Sequence, residues 1–64
     1  MHVRHIGGFT PGQMFQCWAL ISRAEIVLGT LSAGQRRDLL LDNFSWIPSS
    51  AEAHGILEFL YPTA

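Results

Sequence analysis

The sequence contains no lysine, a single cysteine and few charged residues of either sign. One cysteine cannot form an internal disulfide, which excludes a small secreted fold held together by disulfides and favours a cytoplasmic protein. Nucleic-acid binding requires clustered positive charge, whereas the formal net charge here is −1 and only Arg36-Arg37 forms a basic pair. This charge pattern argues against a nucleic-acid partner.

The sequence also lacks the features of a secreted or membrane-bound chain. The N-terminus leads into Gly7-Gly8 and Pro11 instead of an apolar run with a small-residue cleavage site, so we expect no signal peptide. The longest apolar segment carries Arg23 and Glu25 within the length that a bilayer requires. We expect no membrane partner.

No arrangement of residues typical of an enzyme is present. The three histidines, one cysteine and five acids form no motif that places a nucleophile beside an oriented base. A substrate pocket of about 300 Å³ or more is also hard to build in so short a helical chain. His2 and His5 have H-x-x-H spacing but no third ligand nearby, so the sequence predicts neither an enzyme nor a metal site.

One short string has a known counterpart. Residues 31–35, LSAGQ, resemble the LSGGQ signature of ABC-transporter ATPases, with Ala33 in place of the first glycine. A nucleotide-binding domain also needs a G-x-x-x-x-G-K-[ST] loop, which a chain without lysine cannot supply. The sequence therefore predicts no ATP site, and we expect no other cofactor.

What the sequence does contain is a long apolar helix near its start. Thr10 and Gln13 have the spacing of a capping box, in which each side chain bonds the other residue's backbone amide. Pro11 suits the first helical position, and Gly29 can adopt the positive φ that commonly closes a helix. These signals predict a first helix over residues 11–29.

The apolar residues of this helix fall on two stripes. We expect the first stripe to pack inside the domain; it comprises Met14, Cys17, Trp18, Ile21, Ala24 and Leu28. The second stripe comprises Phe15, Ala19 and Ile26, with Trp18 between the two. A chain of this size buries only about 60% of the surface that it exposes when unfolded. The second stripe therefore predicts cover from a second copy or from another protein.

Two further helices are predicted, over residues 33–44 and 50–61, after a short irregular or strand-like arm over residues 1–9. Ser32 with Gln35, and Ser49 with Glu52, have capping-box spacing. In the second helix Leu40, Leu41 and Phe44 are predicted to face inward, and Arg36, Asp38 and Asp42 outward. In the third helix the predicted inner residues are Ala53, Ile56, Leu57 and Leu60.

Two residues leave alternatives open. Trp46, in the connector before Pro48, either folds back onto the core or anchors a partner. Gly55 marks either a close approach of two helices or a weak point in the third helix, because glycine costs about 1 kcal/mol relative to alanine inside a helix.

The sequence thus predicts a single all-α domain of three helices that forms a homodimer or higher oligomer through its first helix. The function it favours is a small protein-interaction module, a regulator or inhibitor of the phage or bacterial type, that binds a larger protein. The expected interaction residues are Phe15, Trp18, Ala19, Ile26 and Trp46. A structural subunit of a larger complex is the alternative, and a dimeric DNA-binding regulator is the third.

Overall fold

Three helices make up the described part of the chain. The computed structural model describes residues 8–63, with α1 at Pro11–Leu28, α2 at Ala33–Asn43 and α3 at Ser50–Leu60. Each helix packs against both of the others. The predicted all-α fold is confirmed, and each helix ends one residue earlier than predicted. Residues 1–7 of the predicted arm, with His2 and His5, lie outside the described residues.

The first two helices begin with the predicted capping boxes. The Thr10 amide donates to Gln13 Oε1 at 2.8 Å, and the Gln13 amide donates to Thr10 Oγ1 at 3.1 Å. Ser32 and Gln35 repeat the arrangement at 2.9 and 3.1 Å. Both helices therefore have two of their otherwise unpaired amides satisfied by side chains.

The third helix begins differently, and the predicted capping box is wrong there. Ser49 is the N-cap residue, but its side chain makes no bond to a backbone amide. Its hydroxyl donates instead to the carboxylate of Glu52. The serine–glutamate spacing is present, but the two side chains bond each other and leave the amides of the first turn uncapped by either.

Gly29 ends α1 with the positive φ that was predicted. Its φ is 87° and its ψ is −179°, and its amide donates to the carbonyl of Glu25 at 2.9 Å. The extended ψ differs from the left-handed helical conformation that the sequence suggested. This region of backbone space is essentially open to glycine alone.

The core is formed by one side of each helix together with the segments before α1 and between α2 and α3. The buried apolar residues are Phe9, Met14, Cys17, Ile21, Leu40, Ile47, Ala53, Ile56 and Leu57. The inward predictions for Met14, Cys17 and Ile21 are thereby confirmed, as are those for α3, in which Leu60 packs on this core as a half-buried residue.

Three predictions about which way residues face require correction. Trp18 and Leu28 were expected inside, but they are 45% and 71% exposed. Leu28 lies in the last turn of α1, and the following segment begins with Gly29 and Thr30, which offer no large apolar side chain to cover it. Arg36 was expected to face solvent, but its side chain points towards α1 and forms a salt bridge with Glu25.

Gly55 does not mark a close approach of two helices. A Cβ atom built there would meet nothing within 4 Å. The remaining alternative, that this glycine weakens α3, is the one consistent with the open space beside it.

Candidate protein-interaction surface

Four apolar residues on one side of α1 form the outer face, which we define as Phe15, Trp18, Ala19 and Ile26. Phe15 is 64% exposed, Trp18 45% and Ile26 84%, while Ala19 is half-buried. The rings of Phe15 and Trp18 lie side by side, with centroids 5.8 Å apart and planes inclined at 34°. These two aromatic side chains form one continuous apolar surface near the start of the helix.

The outer face is uncovered because both neighbouring helices pack on the opposite side of α1. At about 100° per residue, Phe15, Ala19 and Ile26 fall within one narrow sector, and Cys17 and Ile21 lie across the helix axis from it. Those two are fully buried. The second stripe predicted from the sequence is therefore present, and within residues 8–63 its two large members, Phe15 and Ile26, stay mostly exposed.

A shallow groove runs along one flank of the outer face. It has a volume of about 320 Å³. Its walls are Phe15, Gln16, Ala19, Leu20, Arg23 and Phe44. The lining is mainly apolar, and Arg23 is the charged residue among these six. We call this feature the side groove; Trp18, on the opposite flank of the outer face, is not part of it.

Val27 extends the exposed apolar surface at the end of α1, although it belongs to neither of the two predicted stripes. It is 79% exposed and lies between Ile26 and Leu28, so three consecutive apolar side chains face solvent in the last turn. The run Ile26-Val27-Leu28 directly before Gly29 was visible in the sequence. Its exposure follows from its place at the end of the helix, where there is less neighbouring chain to pack on it.

Trp46 lies apart from the outer face, in the connector between α2 and α3. Its ring centroid is 5.7 Å from that of Phe9 and 4.8 Å from that of Phe44. The side chain is half-buried and packs on the core. Trp46 therefore covers part of the core and lies away from the surface that Phe15, Trp18, Ala19 and Ile26 share.

A polar junction holds the end of α1 to the start of α2. Glu25 Oε2 accepts from the Leu31 amide at 2.9 Å and from Arg36 Nη2 at 2.8 Å. The Arg36 guanidinium also lies over the Tyr61 ring, 4.1 Å from its centroid. The Leu31 amide, followed by the Arg36 guanidinium, lowers the pKa of the Glu25 carboxyl. These contacts fix the connection between the helices and leave Arg36 paired.

Cys17 lies inside the core and behaves as a small apolar residue. It is fully buried, and burial raises the pKa of its thiol to about 11. A protonated, inaccessible thiol is a poor nucleophile. The predicted structural role of Cys17 agrees with this placement.

Within residues 8–63, no group of three or more histidine, cysteine, aspartate or glutamate residues is arranged to hold a metal ion. In the same part of the chain, none of the three helices combines the length and the apolar character needed to cross a bilayer.

Comparison with protein-family models, with curated proteins and with solved structures returns no match for this chain.

Proposed function

We propose that this protein is a small helical protein-interaction module that binds protein through the outer face of α1. The observation that carries the proposal is the exposure of Phe15, Trp18 and Ile26, at 64%, 45% and 84%, on one side of α1. The opposite side is buried at Cys17 and Ile21. Large aromatic residues on an exposed apolar surface are the side chains that dominate binding energy at protein interfaces.

Energetics supports association over a solitary monomer. Burying a side chain of phenylalanine or isoleucine size contributes about 1.5–3 kcal/mol relative to leaving it exposed. Native domains have a total stability of about 5–15 kcal/mol, so cover for the outer face is a large gain for a chain of this size. We propose that a second copy of the chain and a larger target protein are alternative sources of such cover, since one face cannot hold both at once, and that the module acts as a regulator or inhibitor of that target.

Charge supports protein over nucleic acid as the partner. Of the four arginines, Arg36 is paired with Glu25 at 2.8 Å and Arg37 approaches Asp38 at 3.4 Å. The outer face itself has no charged member, and Arg23 stands on its flank. Such a surface has few positive charges that could neutralise the phosphates of a nucleic acid.

The test is affinity capture with the tagged full chain, comparing two matched variants. Ile26→Glu places a charge on the outer face. Phe59→Glu places the same charge on α3, at a position where the natural side chain is 47% exposed. We expect Ile26→Glu to lose the proteins that the natural chain and Phe59→Glu both retain. Equal retention by the two variants, or loss only in Phe59→Glu, would contradict the proposal.

A further inference from the structure

Five positions along the outer side of α1, which we call the seam, have heptad spacing, and large apolar residues occupy two of them. Gly12, Phe15, Ala19, Ser22 and Ile26 follow one another at intervals of three, four, three and four residues. This is the spacing of the core positions of a heptad, which align two helices along a common seam. Large residues stand at Phe15 and Ile26, and the small residues between them allow the two helices to approach closely.

Trp18 and the side groove lie on opposite flanks of this seam. Trp18 occupies the position directly before Ala19, while Gln16 and Arg23, both in the groove wall, lie on the other flank of the seam. Arg23 follows Trp18 by five residues, which is the offset at which flanking residues meet across a parallel pair of helices. In the described residues Arg23 makes no salt bridge.

On these observations, and resting on the proposed function, we propose that the outer face of α1 is covered by a second copy in a parallel two-fold pair, with each copy's Trp18 seated in the other's side groove. The Trp18 ring would pack on the groove walls and meet the guanidinium of the partner's Arg23, a cation–π contact made twice by symmetry.

Symmetry favours the parallel arrangement over the antiparallel one. A two-fold axis along α1 brings opposite flanks together, so both side grooves receive a tryptophan. An axis perpendicular to the helices brings like flanks together instead. Trp18 would then meet the partner's Trp18, the two Arg23 side chains would repel each other, and both grooves would stay empty.

The exposed area is suited to a dimer that dissociates on dilution. If a large side chain has about 200 Å² of surface, Phe15, Trp18 and Ile26 together expose roughly 400 Å². A stable interface of standard size takes about 800 Å² from each partner, so the groove walls and the small seam residues must supply the rest. Such a contact lies at the lower end of specific interfaces.

Sedimentation equilibrium of the full chain, from low to high micromolar concentration, tests the contact. The natural chain should move from monomer to dimer, and Trp18→Ala should weaken dimerisation by about thirtyfold, as expected for a central tryptophan anchor. Phe59→Ala is the control, because its 47% exposure matches the 45% of Trp18. It should dimerise like the natural chain. Circular dichroism of each variant verifies that the helices are retained.

Orientation is tested by disulfide trapping at the start of the seam. A Cβ at Gly12 would have only an ordinary contact, 3.8 Å from Thr10 Oγ1, so Gly12→Cys fits. Two such cysteines lie together in a parallel pair and on the order of 25 Å apart in an antiparallel one, at 1.5 Å of rise per residue. Cys17 does not compete, because it is fully buried. We expect Gly12→Cys alone to give a covalent dimer under mild oxidation.

Three results would overturn the inference. The first is a natural chain that stays monomeric throughout the concentration range. The second is equal dimerisation by Trp18→Ala and Phe59→Ala. The third is a covalent dimer that appears only when Gly12→Cys is mixed with Ile26→Cys, which indicates an antiparallel pair. A monomeric chain that still loses a bound protein on Ile26→Glu would overturn the dimer and leave the proposed function standing.

Discussion

The two sides of α1 are similarly apolar in sequence and opposite in their surroundings. Ile21 on the inner side is completely buried, whereas Ile26 on the outer side is 84% exposed. The inner side chains stabilise the fold by leaving water. The outer ones are exposed in the isolated domain and gain little from its folding, which is why we propose that they bind a partner. Hydrophobic content alone does not distinguish these two roles.

The largest expected effect is on the inner side. Ile21→Ala should destabilise the fold by about 2–5 kcal/mol, because it leaves a cavity among fully packed neighbours. The same substitution on the outer side, Ile26→Ala, is the matched comparison and should change the stability of the dilute monomer by no more than about 0.5 kcal/mol. Urea unfolding of both variants measures the difference. Similar losses at the two positions would show that the outer side is packed after all.

Where packing holds only one side of a helix, the bonds at its ends matter to its stability. Thr10→Ala should destabilise the fold by about 1 kcal/mol, because the Gln13 amide loses its acceptor. Ser49→Ala should cost less, since the Ser49 side chain caps no backbone amide. The comparison is made by thermal unfolding. An unchanged melting temperature for Thr10→Ala would mean that the capping box contributes nothing.

Where a side chain on α3 would contact no other residue, as on the outer side of α1, a substitution should change stability through helix propensity and not through packing. Gly55→Ala should raise the stability by about 0.5–1 kcal/mol, because alanine is the better helix former and its Cβ meets nothing within 4 Å. A urea titration detects such a shift. A loss of stability would indicate that the space beside Gly55 is filled.

The smallest expected effect concerns the polar junction at the end of α1. The Leu31 amide and the Arg36 guanidinium keep the pKa of Glu25 below its ordinary value of 4.5. Such a group contributes stability at pH values above its unfolded pKa, and this stability is lost as the pH falls through the lower folded pKa. The contribution is modest because both side chains are partly exposed, at 19% and 21%.

The measurement is the melting temperature as a function of pH. Glu25→Gln should lower it at neutral pH and reduce its fall in acid. Glu58→Gln, at an exposed position of α3, should leave the acid-dependent fall as in the natural chain. If Glu25→Gln and Glu58→Gln gave the same pH profile, the junction would have no share in stability.

The sequence predicts the parts of this structure that depend on near neighbours. Thr10 and Gln13 are three residues apart, so their spacing is enough to locate the start of α1, and the 3.6-residue period separates Ile21 from Ile26. Ser49 shows where even local spacing fails: its hydroxyl bonds the Glu52 carboxylate, a choice that the pattern of residue types does not reveal.

Features that depend on how the helices pack were not predictable from periodicity. Arg36 bonds to Glu25, which lies eleven residues earlier in the chain. The distance between these two side chains depends on the angle between α1 and α2. The side groove exists because Phe44, at the end of α2, lies near α1. For the candidate site, periodicity placed Phe15, Ala19 and Ile26 on the outer stripe. It did not predict the exposed fraction of Trp18, or that Val27 would extend the exposed surface.

The most direct test of the central claim is the mass in solution of the natural chain and of Ile26→Glu, measured by light scattering after size-exclusion chromatography. We predict that the natural chain at tens of micromolar runs above its monomer mass of 7.1 kDa, and that Ile26→Glu runs as a monomer with its helical circular dichroism retained. A natural chain that is a monodisperse monomer at that concentration would contradict the claim that the outer face of α1 brings two copies together.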